Sequence, residues 1–245
     1  STFDGVFAGL GSLVKTGAGE LTLTNAQTFV GGLDVNGGAI VTGTNTSVTP
    51  GTAGTFADVL DITVGAQGQL DFNTDDTIAS ITNLGTVNLG ADITTTGAFE
   101  IKDDGVDIGV VNVLGDYTIT ADGGLVGGGD IVVADTHNLT VSQQTGTIST
   151  FRGNIGSATD PNTSTFTFTG GGELILGGGT NQMTVAFLDI VDGQISLDGS
   201  ELLDDDISVN VGGQGAIAIL DDLADPSNVR QESINALSGT GAIYL

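Results

Sequence analysis

The chain has 245 residues and a formal net charge of −26, since only 4 Lys and Arg stand against 30 Asp and Glu. So few cations exclude binding to nucleic-acid phosphates or to an anionic membrane surface, and the absence of cysteine excludes disulfides and thiolate chemistry. A mean hydropathy of +0.25 argues against a disordered chain, and no apolar run is long enough for a helix that spans a membrane.

In chain order, the dominant pattern is a series of short segments in which apolar and polar residues alternate. The clearest of them are residues 21–24, 62–64, 70–72, 117–120, 139–141, 188–190 and 195–197. Such alternation predicts strands with one buried face, and the 41 glycines cluster between them as turn residues. The sequence therefore predicts an all-β protein. A short helix or an irregular loop is expected only at residues 226–236.

Internal repetition distinguishes between the possible all-β architectures. Four segments recur in the same order about 150 residues downstream: residues 3–5, 15–23, 33–40 and 64–70 match residues 151–153, 168–176, 188–195 and 211–217. This favours a solenoid over a sandwich or closed barrel. We expect one β-helix segment over residues 1–245, built from a unit at 1–150 and an incomplete one at 151–245. Threonine suits its outer, solvated face.

One stretch has a more specific pattern. It reads GLGSLVKTGAGELTL at residues 9–23, TFVGG at 28–32 and VNGGAI at 35–40, and it resembles the passenger-associated strand repeat of bacterial autotransporters. The later copy is degenerate, because Phe168 replaces Lys15 and no aromatic-x-Gly-Gly step follows. The resemblance implies a right-handed parallel β-helix that is exported to the bacterial cell surface or secreted.

The expected function is structural and adhesive, as a passenger or adhesin stalk without chemistry of its own. Its partners would be glycans or proteins on a host or neighbouring cell, or a second copy joined end to end into a filament. The segments expected to break the coil and make contact are residues 50–58, 100–110, 158–164 and 221–232. The side chains of Phe29, Phe72 and Phe187 are expected in the core.

The alternative function is a β-helix enzyme of the glycoside hydrolase or lyase type. Such enzymes use two carboxylates about 5 to 10 Å apart, and the candidates are Asp75 with Asp76 and the groups Asp103–Asp104–Asp107, Asp204–Asp205–Asp206 and Asp221–Asp222–Asp225. The few cations are scattered, so an acidic sugar would be repelled. His137, the only histidine, is expected in a polar turn, and no nucleophile elbow occurs. We therefore assign no catalytic residue.

Calcium is the one ion that the acidic clusters suggest, because it prefers carboxylate and carbonyl oxygens. The candidate ligands are Asp103, Asp104, Asp107, Asp204, Asp205, Asp206, Asp221 and Asp222. The favoured alternative is that these acids solvate surface loops, where Asp and Glu ordinarily lie. No other cofactor is expected.

Overall fold

The computed structural model describes residues 1–43, 56–157, 163–177, 182–199, 201–220 and 233–244, and within these ranges it contains strands and no helix. The strands pair in parallel from one turn of the chain to the next, about nine turns in all. The prediction of an all-β, parallel β-helix is confirmed. None of the described segments forms a helix long and apolar enough to cross a membrane.

Each turn contributes strands to three faces. The first face contains Thr2–Phe3, Glu20–Leu23, Gly38–Thr42, Gly68–Phe72, Thr86–Leu89, Val110–Val113, Asp130–Val133 and Ile155–Ser157, and it continues through the bridge residues Met183 and Leu203. The second contains Ala8–Gly9, Thr28–Phe29, Asp76–Ile78, Ile93–Thr95, Tyr117–Ala121, Asn138–Ser142, Thr165–Thr169 and Ala236–Gly239. The third contains Leu13–Lys15, Leu33–Val35, Asp61–Val64, Ser80–Asn83, Phe99–Ile101, Leu125–Gly127, Ile148–Phe151, Glu173–Leu176 and Ala242–Tyr244. Two long strands, Phe187–Leu197 and Ser208–Ile219, pass around a corner and belong to both the second and third faces.

The core lies inside the coil and consists of columns of apolar side chains in register. On the third face, Ile81 pairs with Phe99 and Phe99 with Leu125, and all three are fully buried. Burying each such side chain contributes about 1.5 to 3 kcal/mol. Phe29 and Phe72 lie in this core, as predicted. The prediction for Phe187 is wrong, because its 51 % exposed side chain occupies an outward position of the alternating strand.

Glycine is required where the chain turns from one face to the next. A Cβ atom on Gly68 would lie 1.9 Å from the carbonyl oxygen of Val35, and one on Gly215 would lie 2.2 Å from that of Ile190. These two glycines end equivalent corners, GAQG at residues 65–68 and GGQG at 212–215. The recurring segments therefore build the same kind of corner.

The two corners connect different faces. Residues 64–70 lead from the third face to the first, whereas residues 211–217 lead from the second face to the third. The sequence repeat thus does not correspond to a whole number of turns. The division of the chain at residue 150 stays a prediction.

Candidate functional surfaces

A protruding loop of eight residues leaves the coil between Phe99–Ile101 and Val110–Val113. Its ends are held together by an antiparallel bridge between Asp103 and Ile108 and by the amide of Gly109, which donates to the carbonyl of Lys102 at 2.7 Å. We call residues 102–109 the acidic hairpin. Val106 at its tip is 86 % exposed. The predicted break of the coil within residues 100–110 is confirmed. The breaks predicted at residues 50–58, 158–164 and 221–232 lie wholly or mostly outside the described residues.

Two carboxylates of the acidic hairpin stabilise its turn. Asp103 Oδ1 accepts a hydrogen bond from the amide of Gly105 at 2.8 Å, and Asp104 Oδ1 accepts from the amides of Val106 and Asp107, both at 2.9 Å. The hydrogen bond from the Asp107 amide, and then the one from Val106, lower the pKa of the Asp104 carboxyl. These bonds favour the ionised form and tie it to the folded loop.

The order of the acidic hairpin is expected to depend on pH. Because the pKa of Asp104 is lowered in the folded loop, its stabilising effect is complete above the pKa of the unfolded chain and is lost as pH falls through the folded value. In an NMR titration, the Asp104 carboxyl should titrate below the usual Asp pKa of about 3.9. The Val106 amide should shift with it, and this shift should vanish in Asp104→Asn. Titration at or above the usual value would contradict the assigned hydrogen bonds.

The second group of candidate acids forms a separate turn. Asp204 Oδ1 accepts from the amide of Asp206 at 2.9 Å, while Asp205 and Asp206 are exposed. This turn follows Leu203, which lies four strand layers beyond Val110–Val113 on the first face, a distance of roughly 19 Å at ~4.8 Å per layer. The structure therefore does not bring the two groups together. Asp221, Asp222 and Asp225 lie outside the described residues.

That these acids solvate surface loops and do not bind calcium stays a prediction. Within the described ranges, no three His, Cys, Asp or Glu side chains converge as metal ligands, and Asp103, Asp104 and Asp204 already accept backbone hydrogen bonds. The melting temperature should be the same in EDTA and in millimolar calcium. A melting temperature that falls in EDTA, recovers with calcium and no longer responds in Asp104→Asn would contradict this expectation.

Asp75 and Asp76 lie in different environments. Asp75 is exposed, whereas Asp76, the first residue of the strand Asp76–Ile78, is buried. Asp76 Oδ2 accepts from the amide of Phe56 at 3.1 Å, and Asp75 Oδ1 accepts from the amide of Asp92 at the same distance. This structural role could not be predicted from the sequence, because the Phe56 partner lies 20 residues earlier in the chain.

The polar turn predicted for the histidine is confirmed. His137 Nδ1 lies 3.4 Å from Asp116 Oδ1, and both side chains are open to solvent, 37 % and 66 % exposed. Asp116 Oδ1 also accepts from the amide of Asn138 at 2.9 Å. These contacts join two neighbouring turns of the coil at a corner.

The lysine of the resembling repeat has a structural role. Lys15 Nζ donates to the carbonyl oxygens of Gly17 at 2.9 Å, Gly37 at 2.8 Å and Thr16 at 3.2 Å. The bond to Gly37 connects one turn to the next. In the later copy, the buried ring of Phe168 lies close to Gly193. The Lys15 ammonium occupies the corresponding place beside Gly38. The later copy thus has an aromatic ring where the first copy has a charged donor.

Replacing Lys15 is expected to destabilise the protein more than replacing another lysine. Lys15→Met should lower the free energy of unfolding by about 1 to 2 kcal/mol, because it leaves the Gly17 and Gly37 carbonyls without their charged donor. Lys102→Met removes only an exposed 3.7 Å ion pair with Glu100, which contributes about 0 to 1 kcal/mol. Urea unfolding of both variants measures the difference, and equal effects would contradict the role of Lys15.

The comparison with protein families agrees with the corner geometry. Residues 13–42 match the family model described as Passenger-associated-transport-repeat. The matched segment begins with the strand Leu13–Lys15 and ends with Gly38–Thr42, so it contains the corner that Lys15 fastens. No curated protein and no solved structure matches the chain. The family implies a secreted or surface-exposed passenger domain. The resemblance to autotransporter passenger repeats is therefore confirmed over residues 13–42, within a parallel β-helix.

Proposed function

We propose that this chain is an adhesive, non-catalytic rod of a bacterial cell-surface passenger. The observation that carries the proposal is a buried core of parallel turns from which the acidic hairpin protrudes, with Val106 at its tip 86 % exposed. Stacked turns give a stiff rod whose stability accumulates along its length. Such a rod holds a contact point away from the cell surface, towards a host or neighbouring cell.

The acidic hairpin has the features of a contact point. An exposed apolar side chain can enter a pocket of a partner, whereas the surrounding charges remain at the rim. Here Val106 and the half-exposed Ile108 stand among Asp103, Asp104 and Asp107. We therefore expect a protein or glycan-bearing partner that offers an apolar pocket with cations around it.

Adhesion of protein-coated beads to a panel of cells tests this proposal. Val106→Ser should abolish most of the binding, whereas Val59→Ser, at another exposed valine that is 63 % exposed, should leave it unchanged. Both substitutions lie on the surface and should not alter the melting temperature. Beads carrying the unsubstituted chain that bind no better than albumin-coated beads would overturn the adhesive role. Full binding by Val106→Ser would remove the hairpin from it.

The hydrogen bonds that the candidate carboxylates make within the fold support the non-catalytic part of the proposal. Asp76, Asp103, Asp104 and Asp204 accept hydrogen bonds from backbone amides, so these side chains stabilise the fold. The test is incubation with a panel of neutral glycans and measurement of released reducing ends. Release that disappears in Asp103→Asn or Asp204→Asn would establish the alternative, a glycan-active enzyme.

We also propose end-to-end assembly, with a second copy of this chain as the partner. The last described turns form an apolar cleft of about 130 Å³, and Ile243 and Tyr244 at its edge are 47 % and 56 % exposed. Parallel turns could continue from one copy into the next, a head-to-tail contact that extends without closing.

Analytical ultracentrifugation over a range of concentrations tests this assembly. The unsubstituted chain should form growing oligomers, which electron microscopy should show as fibres. Ile243→Asp should reduce them to monomers. Ile148→Asp, at a 67 % exposed position in the middle of the rod, should leave them intact. A chain that stays monomeric at every concentration would overturn the proposal.

A further inference from the structure

The second face carries a regular array of outward hydroxyl groups over four consecutive turns. Its strands are Ile93–Thr95, Tyr117–Ala121, Asn138–Ser142 and Thr165–Thr169. One column of the array contains Thr94, Thr120, Ser142 and Thr169, and the other contains Thr118, Thr140 and Thr167. We call these seven residues the threonine array.

The spacing of the threonine array follows from the register of the strands. Thr94 pairs with Thr120 and Thr118 with Thr140 as direct Cα partners, so neighbours within a column are ~4.8 Å apart. The two columns are two residues apart along each strand, or ~6.7 Å. Beneath them, Ile119, Val141 and Phe168 are fully buried, which holds the surface rigid.

The hydroxyl groups of the array are free within the described part of the chain. None of the seven makes a side-chain hydrogen bond to another described residue. Outward polar side chains elsewhere bond to one another: on the first face, Asn88 donates to Asp71 at 2.6 Å and Asn112 donates to Asn88 at 2.8 Å. The array thus presents donors and acceptors that the protein itself does not use.

The array also has no charged side chain among its strands. Its four strands contain no charged residue, in a chain of net charge −26. Acids border one column at both ends, because Asp92 accepts from the amide of Thr118 at 2.7 Å and Asp189 is the register partner of Thr167. The other column continues by one turn, because Thr77 is the register partner of Thr94. The neutral patch suits a neutral partner that is itself periodic.

We propose that the threonine array binds the surface of ice. The two spacings of the array are close to repeat distances of the oxygen atoms in hexagonal ice. Each hydroxyl can take the place of a lattice water, and each threonine methyl can fill a gap beside it. Because the core is rigid, few side chains must become ordered on binding. Hydrogen bonds to the ordered waters of ice replace those that the hydroxyl groups make to liquid water. This inference goes beyond adhesion to cells and does not depend on it.

Thermal hysteresis in a nanolitre osmometer, together with adsorption of labelled protein to a single ice crystal, tests the proposal. The unsubstituted chain should show a hysteresis gap and should shape the crystal. Thr140→Tyr places a bulky ring in the centre of the array and should abolish both effects. Thr63→Tyr, at an outward position on the third face, should retain both. Circular dichroism should show that both variants keep the fold.

Three outcomes would overturn the proposal. The first is an unsubstituted chain without hysteresis or ice adsorption at any concentration reached. The second is a Thr140→Tyr variant that still binds ice as the unsubstituted chain does. The third is binding to crystalline cellulose or to a second copy of the chain, lost in Thr140→Tyr, without any binding to ice.

Discussion

Replacing Phe99 by alanine is expected to lower the free energy of unfolding by about 3 to 5 kcal/mol. Its side chain is fully buried and lies in register between Ile81 and Leu125 of the adjacent turns. Removing the ring leaves a cavity that the stacked turns cannot close, because their spacing is set by backbone hydrogen bonds. Urea unfolding followed by circular dichroism measures the loss.

Phe187→Ala is the matched control for this substitution. Phe187 is 51 % exposed, so truncating it should cost less than about 1 kcal/mol. Hydrogen exchange adds a local measurement, since each turn of a solenoid contacts only its neighbours. Protection in Phe99→Ala should fall most at Ile81 and Leu125. Equal destabilisation by the two phenylalanine variants would contradict the assignment of inside and outside.

Replacing Gly153 by alanine is expected to destabilise the protein by about 3 kcal/mol, at the upper end of the range for overpacked sites. A Cβ atom there would lie 1.6 Å from the carbonyl oxygen of Gly129 in the adjacent turn. The clash is with backbone, so no side-chain movement can relieve it. Two layers of the solenoid would have to separate locally. Thermal unfolding of the variant measures the effect.

Gly19→Ala provides the comparison, because a Cβ atom on Gly19 meets nothing within 4 Å. This variant should be as stable as the unsubstituted chain, or slightly more stable, since alanine restricts the unfolded chain. The contrast separates the close approach of two turns from the general flexibility of glycine. A Gly153→Ala variant with an unchanged melting temperature would show that the turns do not approach as closely at this corner.

The architecture could be predicted because the local patterns and the repeat agree. Residues 21–24 alternate as a strand should, and the structure has Glu20–Leu23 there. The first face near Met183 and Leu203 could not be predicted, because a single bridging residue leaves no alternating pattern in the sequence. The long strand Phe187–Leu197 was predicted as two pieces, since its corner at Asp192 and Gly193 reads as a turn.

The roles of individual acids could not be predicted from the sequence, for a different reason. The buried position of Asp76 depends on the amide of Phe56, which only the winding of the coil brings near. The threonine array likewise depends on the register between turns, because each strand alone shows ordinary alternation. By contrast, the acidic hairpin could be located from its cluster of acids and glycine, which interrupts the pattern at residues 102–109.

Distances between pairs of spin labels along the third face test the stacking of parallel turns most directly. Thr63, Thr82, Glu100, Val126, Thr150 and Ile175 occupy successive layers of that face. The cysteine-free chain allows labels at Thr63 with Thr150 and at Thr63 with Ile175. The Cα separations should be roughly 19 Å and 24 Å, growing by ~4.8 Å per layer. A second distance equal to or shorter than the first would contradict the solenoid and favour two packed sheets of hairpins.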